Sequence, residues 1–445
     1  MLRHEDNEKL TRTGPGTPLG QVLRQYWQPA ALVSEIDEQR PAKAIRLLGE
    51  DLVLFKTPDT GEWALVSRFC AHRGVDLAYG RLEDGGIRCL YHGWLYGPDG
   101  QCLEQPAEPP DSRFHAKVRI SGYQCAEKNG IIFAYLGKNQ PPPFPAYECF
   151  TAPGAYTFAF KGLWECNWLQ GLEGGLDPSH VSFLHRFLKE DPREVYGQQF
   201  SEEVDGTGTK LSALVADHFR PDIEVEEAPH GLRVFATRDL PDARKHVRIT
   251  NYTFPNAFTV PIGNTKIFTQ WHVPVDDENH YWYMIYYDLA EPVDAGTLLR
   301  QRLEGVTLPD YRSRRNKDNH WGYDPAEQRE LTYTGMGLDI NVHDQFAVES
   351  MGPVQDRTTE RLGASDRAVI ATRRLLLRAA DGPRRDLPAR PATADTAAAL
   401  TGPAAADGVC PAEAWREHWE TLYSERVRHS PWAAQAALSV RNDDV

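Results

Sequence analysis

The stretch Cys70-Ala-His-Arg-Gly, followed by Cys89-Leu-Tyr-His-Gly-Trp, constrains this chain more than any other feature. Each half offers one cysteine and one histidine, as Cys70-x-His72 and Cys89-x-x-His92, with residues 73–88 between them. Gly74 and Gly93 close the two halves, and glycine is the residue that lets a short loop turn back on itself. The chain has 445 residues and seven cysteines, an odd number thinly spread. Free thiols plus a metal site fit that usage better than a disulfide framework.

Thiolates and imidazoles together hold zinc or an iron–sulfur cluster. Zinc ribbons and fingers pair cysteine with cysteine and histidine with histidine, whereas here both pairs are mixed. A Rieske [2Fe–2S] centre needs two thiolates on one iron and two imidazoles on the other. Two mixed loops closing from opposite sides supply that set, so Cys70, His72, Cys89 and His92 are read as its ligands. A purely zinc-structural protein, colourless when purified, is the weaker alternative. Cys102, Cys125, Cys149, Cys166 and Cys410 lack such pairing and read as small buried hydrophobes.

Around this motif the chain divides by pattern. Thr17-Pro18 opens a short helix whose apolar positions are Leu19, Val22, Leu23 and Tyr26. AIRLLGEDLVLFK, EWALVS and KVRISGYQCAEKNGIIFAYLG read as strands between Gly, Asp and Pro turns. The proline-rich segment NQPPPFPAYE (139–148) is the best boundary. Beyond it, WECNWLQGLEGGLDPSHVSFLHRFLKEDP reads as helical, with Asp177-Pro178 as a helix start. LRVFATRDL, HVRITNYTF, KIFTQWHVP and HYWYMIYYDL then read as strands. Residues 378–411, rich in Ala, Pro, Arg and Asp, read as a loose surface loop, and PAEAWREHWETLYSERV as a closing helix. The expected class is α+β: a helical lead at 1–30 packing on the catalytic domain, a small all-β domain at 31–145, and at 146–445 a larger domain with an antiparallel sheet flanked by helices.

A second site is suggested by Asp177-Pro-Ser-His180-Val-Ser-Phe-Leu-His185. Both histidines face an otherwise apolar interior, and a five-residue step sets them about 140° apart on an ideal helix. The helix is therefore expected to distort, or end, between them. Two histidines need one carboxylate to complete the facial triad of non-haem Fe(II). Asp344 lies among Ile340, Ala347, Val348 and Met351, and a carboxylate in an apolar stripe needs a cation. Asp339, Glu349 and Asp356 are weaker candidates, expected to be solvated or capping.

A mixed Cys/His pair, then Asp-x-x-His-x-x-x-x-His, then a late aspartate resembles the α subunit of the Rieske non-haem iron oxygenases. EDNEKLTRTGPGTPLGQVLRQYWQP and DQFAVESMGPVQDRTTERLGASD look like the phthalate dioxygenase branch. The resemblance implies one [2Fe–2S] cluster on Cys70, His72, Cys89 and His92, and one mononuclear Fe(II) on His180, His185 and Asp344. It implies that Asp177 bridges His180 to a cluster histidine of a neighbouring subunit, so that a trimer or stacked trimers form the working unit. Glu173 stands where many relatives carry asparagine. Electrons are expected from a separate flavin and iron–sulfur reductase using NAD(P)H, because no G-x-G-x-x-G follows a strand here.

The function expected from this is hydroxylation of an aromatic, carboxylate-bearing substrate by O₂, with Arg248 on a strand face shared with Thr250 and Tyr252 as the candidate carboxylate partner. Arg220 and Arg244 rank no higher, and Trp271, Trp282 and Phe258 are cavity candidates better explained as core. O- or N-demethylation uses the same iron, and an iron–sulfur electron carrier without oxygen chemistry is the rival from another class. The net charge of −14 (49 basic, 63 acidic residues) disfavours nucleic acid as a partner. No apolar run is long enough to span a bilayer. The polar opening MLRHEDNEKL is no signal peptide, so a cytoplasmic location is expected.

Overall fold

The computed structural model describes residues 2–189, 202–204, 207–383 and 387–433. The turn-punctuated stretch gives a six-stranded antiparallel sheet, ordered Trp27–Leu32, Ile131–Tyr135, Gly122–Lys128, Trp63–Ser67, Glu50–Lys56 and Ala42–Leu47. Its first strand begins at Trp27 and so runs across the 30/31 boundary expected from the sequence. A small four-stranded sheet, Arg81–Glu83, Gly86–Arg88, Leu95–Tyr96 and Cys102–Glu104, stands beside it. A core of Val53, Phe55, Leu77, Ile87, Trp94 and Tyr96 joins the two and buries both motif cysteines.

A large, almost wholly antiparallel sheet follows. At its centre lie Gly231–Leu240, Arg244–Thr253, Ala257–Pro261, Lys266–Pro274, His280–Asp288 and Thr157–Trp164, each hydrogen-bonded to the next. Residues 378–411 differ from expectation. They contain the end of the helix Arg367–Asp381, a short helix Ala394–Ala398 and the strand Ala406–Pro411, which pairs with Arg244–Ile249. The small residues that suggested a loop let this strand lie close on the sheet, and Asp407 meets Arg248 and His246 there. The closing helix is Trp415–His429.

The N-terminal helices His4–Thr11 and Pro18–Leu23 share one core with the helices Trp168–Leu176 and Arg367–Asp381. Thr17 caps the second of them by accepting from Gly20 N. Glu173, on the 168–176 helix, is ion-paired with Arg357 at 3.0 Å and Arg373 at 2.5 Å. Against the upward push of burial, these two guanidinium groups hold its carboxyl below the usual range. Glu173 thus ties three segments together inside the protein.

The 168–176 helix lies directly on the sheet because it is glycine-rich. A Cβ on Gly171 would fall 2.4 Å from His272 Nδ1 and 2.7 Å from His280 Nε2; one on Gly175 would fall 2.1 Å from the Phe258 ring. Glycine costs about 1 kcal/mol against alanine within a helix, so close packing, not helix propensity, dictates these residues. In an exposed helix, Gly→Ala stabilises. Gly171→Ala is expected to do the reverse here, by about 1–3 kcal/mol of overpacking, measured as a lowered thermal midpoint.

Candidate active site

The 168–176 helix does not continue through the histidines. It stops at Leu176, and Asp177 (φ −82°, ψ 111°) is its C-cap, correcting the expectation of a helix start there. The reason is local: Pro178 pushes the preceding residue into the extended region, and the Asp177 carboxylate accepts from Ser179 N at 2.7 Å. One 3-10 turn, His180–Ser182, follows, and His185 lies beyond it. The break expected between the histidines is how both come to point the same way.

Asp344 sits on the helix Ile340–Glu349. Its Oδ1 lies 3.6 Å from His180 Nε2 and 3.3 Å from His185 Nε2, and the two nitrogens are 3.1 Å apart. Donors bonded at about 2.1 Å on adjacent corners of one ion stand about 3 Å apart, so all three fit a single face of a coordination sphere. Burial pushes the Asp344 carboxyl up, and the imidazoles of His185 and His180 more than offset it, leaving it below its usual value. Met351 is largely exposed, so the apolar stripe around Asp344 ends a turn earlier than its spacing suggested.

Hydrogen bonds fix which nitrogen of each ring is free. His180 Nδ1 donates to the backbone oxygen of Asp177 at 2.5 Å, and the Asp177 carboxylate is 4.0 Å away. Burial, and then His185, push the His180 pKa down, so its Nε2 carries a lone pair. Behind His185 is His343, unremarked in the sequence reading. His343 Nε2 donates to Gly337 O at 2.8 Å. Burial pushes its pKa to about 4, so its Nδ1 is an acceptor, 3.4 Å from His185 Nδ1. His185 Nε2 is then a lone pair as well. Two lone pairs and a carboxylate in mutual contact fit a cation, and their chemistry suits iron(II).

The cavity above this triad is lined by Leu176, Val181, Phe258, Val260, Phe268 and Ile340 among apolar groups, and by Arg248, Thr250 and Gln270 among polar ones. Arg248 and Thr250 share the face expected of them. Tyr252 is buried beyond the cavity, donating to Pro255 O, and Trp271 and Trp282 lie in the main core. Arg220 is exposed and Arg244 half-buried, both away from the cavity lining. Arg248 bonds Asp407 at 2.6 Å and Pro261 O at 2.6 Å. Asp407 also takes His246 Nε2 at 2.9 Å. Arg238, missed in the sequence, lies beside them with 1% exposure. It donates through Nη2 to Pro178 O at 3.1 Å, while Nε and Nη1 have no partner among the described residues. Burial and the neighbouring Arg248 push its pKa down to about 10. Only the register of four strands could have revealed this group.

Among the other carboxylates, Asp339 caps the 340–349 helix and pairs with Arg302 at 3.3 Å, and Asp356 is held by Thr358 N. Glu349 is buried, not solvated, with Glu165 N and Trp321 Nε1 as donors.

In the β-rich part, the two motif loops have one construction. Gly74 N bonds Cys70 O at 2.8 Å and Gly93 N bonds Cys89 O at 3.0 Å, with φ of +74° and +71° at the glycines. Cys70 and Cys89 are buried, and Tyr96 OH lies 3.3 Å from Cys70 Sγ. The His72 and His92 rings meet with centroids 4.4 Å apart, His72 stacking on Trp94. His92 Nδ1 is shielded from solvent and has no hydrogen-bond partner among the described residues. Paired thiols, paired imidazoles and an orphaned ring nitrogen are the donor set of a [2Fe–2S] cluster of this type.

Replacing His343 by Leu removes the acceptor that orients His185. Iron affinity at the triad is expected to fall about 10- to 100-fold, read by metal titration, with the visible absorption of the cluster unchanged.

Residues 26–124 match the family model for the Rieske [2Fe-2S] domain, and residues 134–432 match the model described as LigXa C-terminal domain like. The chain is 32% identical to the 3-chlorobenzoate-3,4-dioxygenase oxygenase subunit of Comamonas testosteroni, over 85% of this chain and 89% of that protein. It is 34% identical to the phthalate 4,5-dioxygenase oxygenase subunit of Pseudomonas putida, over 85% and 86% of the two chains. The oxygenase of a carbazole 1,9a-dioxygenase oxygenase–ferredoxin complex shares the fold, with a TM-score of 0.53 and 20% identity over 86% of this chain and 96% of that one. Among the described residues, no helix is long and apolar enough to cross a membrane. The chain belongs to the Rieske non-haem iron oxygenases, as a terminal oxygenase α subunit with a [2Fe–2S] cluster and a mononuclear iron.

Proposed function

We propose that this oxygenase hydroxylates an aromatic substrate bearing a carboxylate, held in the cavity over His180, His185 and Asp344. In this reading those three residues hold the mononuclear iron, and Cys70, His72, Cys89 and His92 hold the cluster. The iron supplies O₂ activation and the cluster supplies single electrons. The chain's own task is to seat the ring and exclude water. Leu176, Val181, Phe258, Val260 and Phe268 give the apolar walls this needs.

The observation that carries the carboxylate is the charge of the far wall. Arg238 and Arg248 bring two cations, and Asp407 is the anion between them and His246. Burial, against the attraction of Asp407, keeps His246 below its usual pKa, so it adds no positive charge at neutral pH. Arg248 lines the cavity, with Arg238 buried beside it. A substrate carboxylate entering the cavity meets the Arg248 guanidinium.

The position of Asp177 supports a role in electron entry. It follows the end of its helix, its backbone oxygen orients His180, and its carboxylate is part-exposed. We assign it as the bridge to a cluster histidine of a neighbouring subunit, in a trimer or stacked trimers. A separate NAD(P)H reductase delivers the electrons.

The test is a screen in which the reduced holoenzyme receives O₂ and aromatic acids, scoring product against cluster reoxidation. A dihydrodiol marks ring hydroxylation; formaldehyde with a phenol or amine marks demethylation; reoxidation with no product from any acid sinks the assignment. Arg238→Met removes a positive charge beside Arg248 while leaving the Asp407 contacts with Arg248 and His246 in place. It is expected to raise KM for a carboxylate substrate about tenfold, the worth of a nearby unit charge, with little change for the matching amide.

A further inference from the structure

A chain of three buried side chains runs from the cavity wall into the core. His280 Nδ1 lies 2.7 Å from the carbonyl oxygen of Cys166. A carbonyl oxygen only accepts, so Nδ1 bears the hydrogen. His280 is fully buried and burial pushes its pKa to about 4, so at neutral pH its Nε2 is a lone pair. That lone pair stands 3.0 Å from His272 Nδ1, which must therefore donate. Burial, with His280 beside it, keeps His272 neutral too, so its Nε2 is again an acceptor. Gln270 Nε2 lies 3.1 Å away and supplies the hydrogen.

The direction of every bond is thus set from the Cys166 carbonyl outward. Turning the Gln270 amide over would set its oxygen against the His272 lone pair. Packing leaves the relay no other route: His272 stacks on Phe258 with centroids 5.6 Å apart, Trp164 closes another side, and the Gly171 backbone covers the junction of the two imidazoles. Gln270 is 5% exposed, lines the cavity, and its Oε1 has no hydrogen-bond partner among the described residues.

We propose that Gln270 is a specificity-determining residue, presenting a carbonyl acceptor of fixed direction to a polar N–H or O–H on the bound aromatic substrate, with His272 and His280 as its positioning residues. This deepens the preceding reading and rests on its assignment of the cavity as the substrate site. The cavity then holds a directional acceptor on Lys266–Pro274 and a cationic wall on Arg244–Thr253. A ring carrying both a carboxylate and a polar hydrogen satisfies the two together.

The test uses the holoenzyme and matched pairs: ortho-, meta- and para-hydroxybenzoate against the corresponding fluorobenzoates, which are of similar size and lack the polar hydrogen. Binding is read by tryptophan quenching, independently of turnover. The wild type is expected to bind at least one hydroxybenzoate about tenfold more tightly than its fluoro partner, the worth of one hydrogen bond. Gln270→Leu, with Gln270→Met as the second choice should the first fail to fold, is expected to bind that pair within about twofold. His272→Phe keeps the stacking but frees the amide to rotate, and is expected to narrow the preference although Gln270 remains. Equal binding within every pair by the wild type, or a preference that survives loss of Gln270, overturns the inference alone. Failure of the holoenzyme to bind any of these acids removes the substrate-site reading and the inference with it.

Discussion

Two imidazole nitrogens and a carboxylate oxygen held within 3.1–3.6 Å of one another are the constraint on which the larger part of the molecule depends. Lone pairs do not attract one another, so a cation between them would stabilise the grouping, and the chain holds its donors ready from three separate places. One is the 3-10 turn after the 168–176 helix, another the turn holding His185, and the third the 340–349 helix. The tautomers are decided further back. Asp177 O fixes His180, and Gly337 O fixes His185 through His343. Backbone carbonyls cannot change protonation state, so they are dependable anchors for such choices.

The legible parts of the sequence were those where chemistry is carried by neighbouring residues. Cys70, His72, Cys89 and His92 announce their loops because glycine must follow each pair, and the strands from 231 to 288 announce themselves by alternation. His180, His185 and Asp344 were found because buried polar residues at odd spacings are costly without a purpose. The helix end at Leu176 was misplaced because Asp-Pro suits either a helix start or a helix stop, and only the packing of Gly171 and Gly175 on the sheet decides between them.

What stayed hidden depends on pairing between distant segments. Nothing local in 378–411 reveals that Asp407 completes a charge cluster with Arg248, because their meeting depends on the register of Ala406–Pro411 against Arg244–Ile249. Arg248 was read as a candidate carboxylate partner on a strand face; the sheet gives it Asp407 as an acidic neighbour. His272 and His280 stand inside the strand-forming runs KIFTQWHVP and HYWYMIYYDL, and no local spacing pairs them. Their relay exists because a hairpin sets Val273 opposite Tyr281 and a glycine helix leaves space above.

The donors that converge on the triad come from turns and a helix, whereas Arg248, Thr250, Phe258, Val260, Phe268 and Gln270 come from three adjacent strands. This separation makes the molecule modular in its chemistry. Side chains on the strand wall can be exchanged to reshape the cavity while the triad opposite keeps its geometry, so one scaffold can accommodate differently shaped guests.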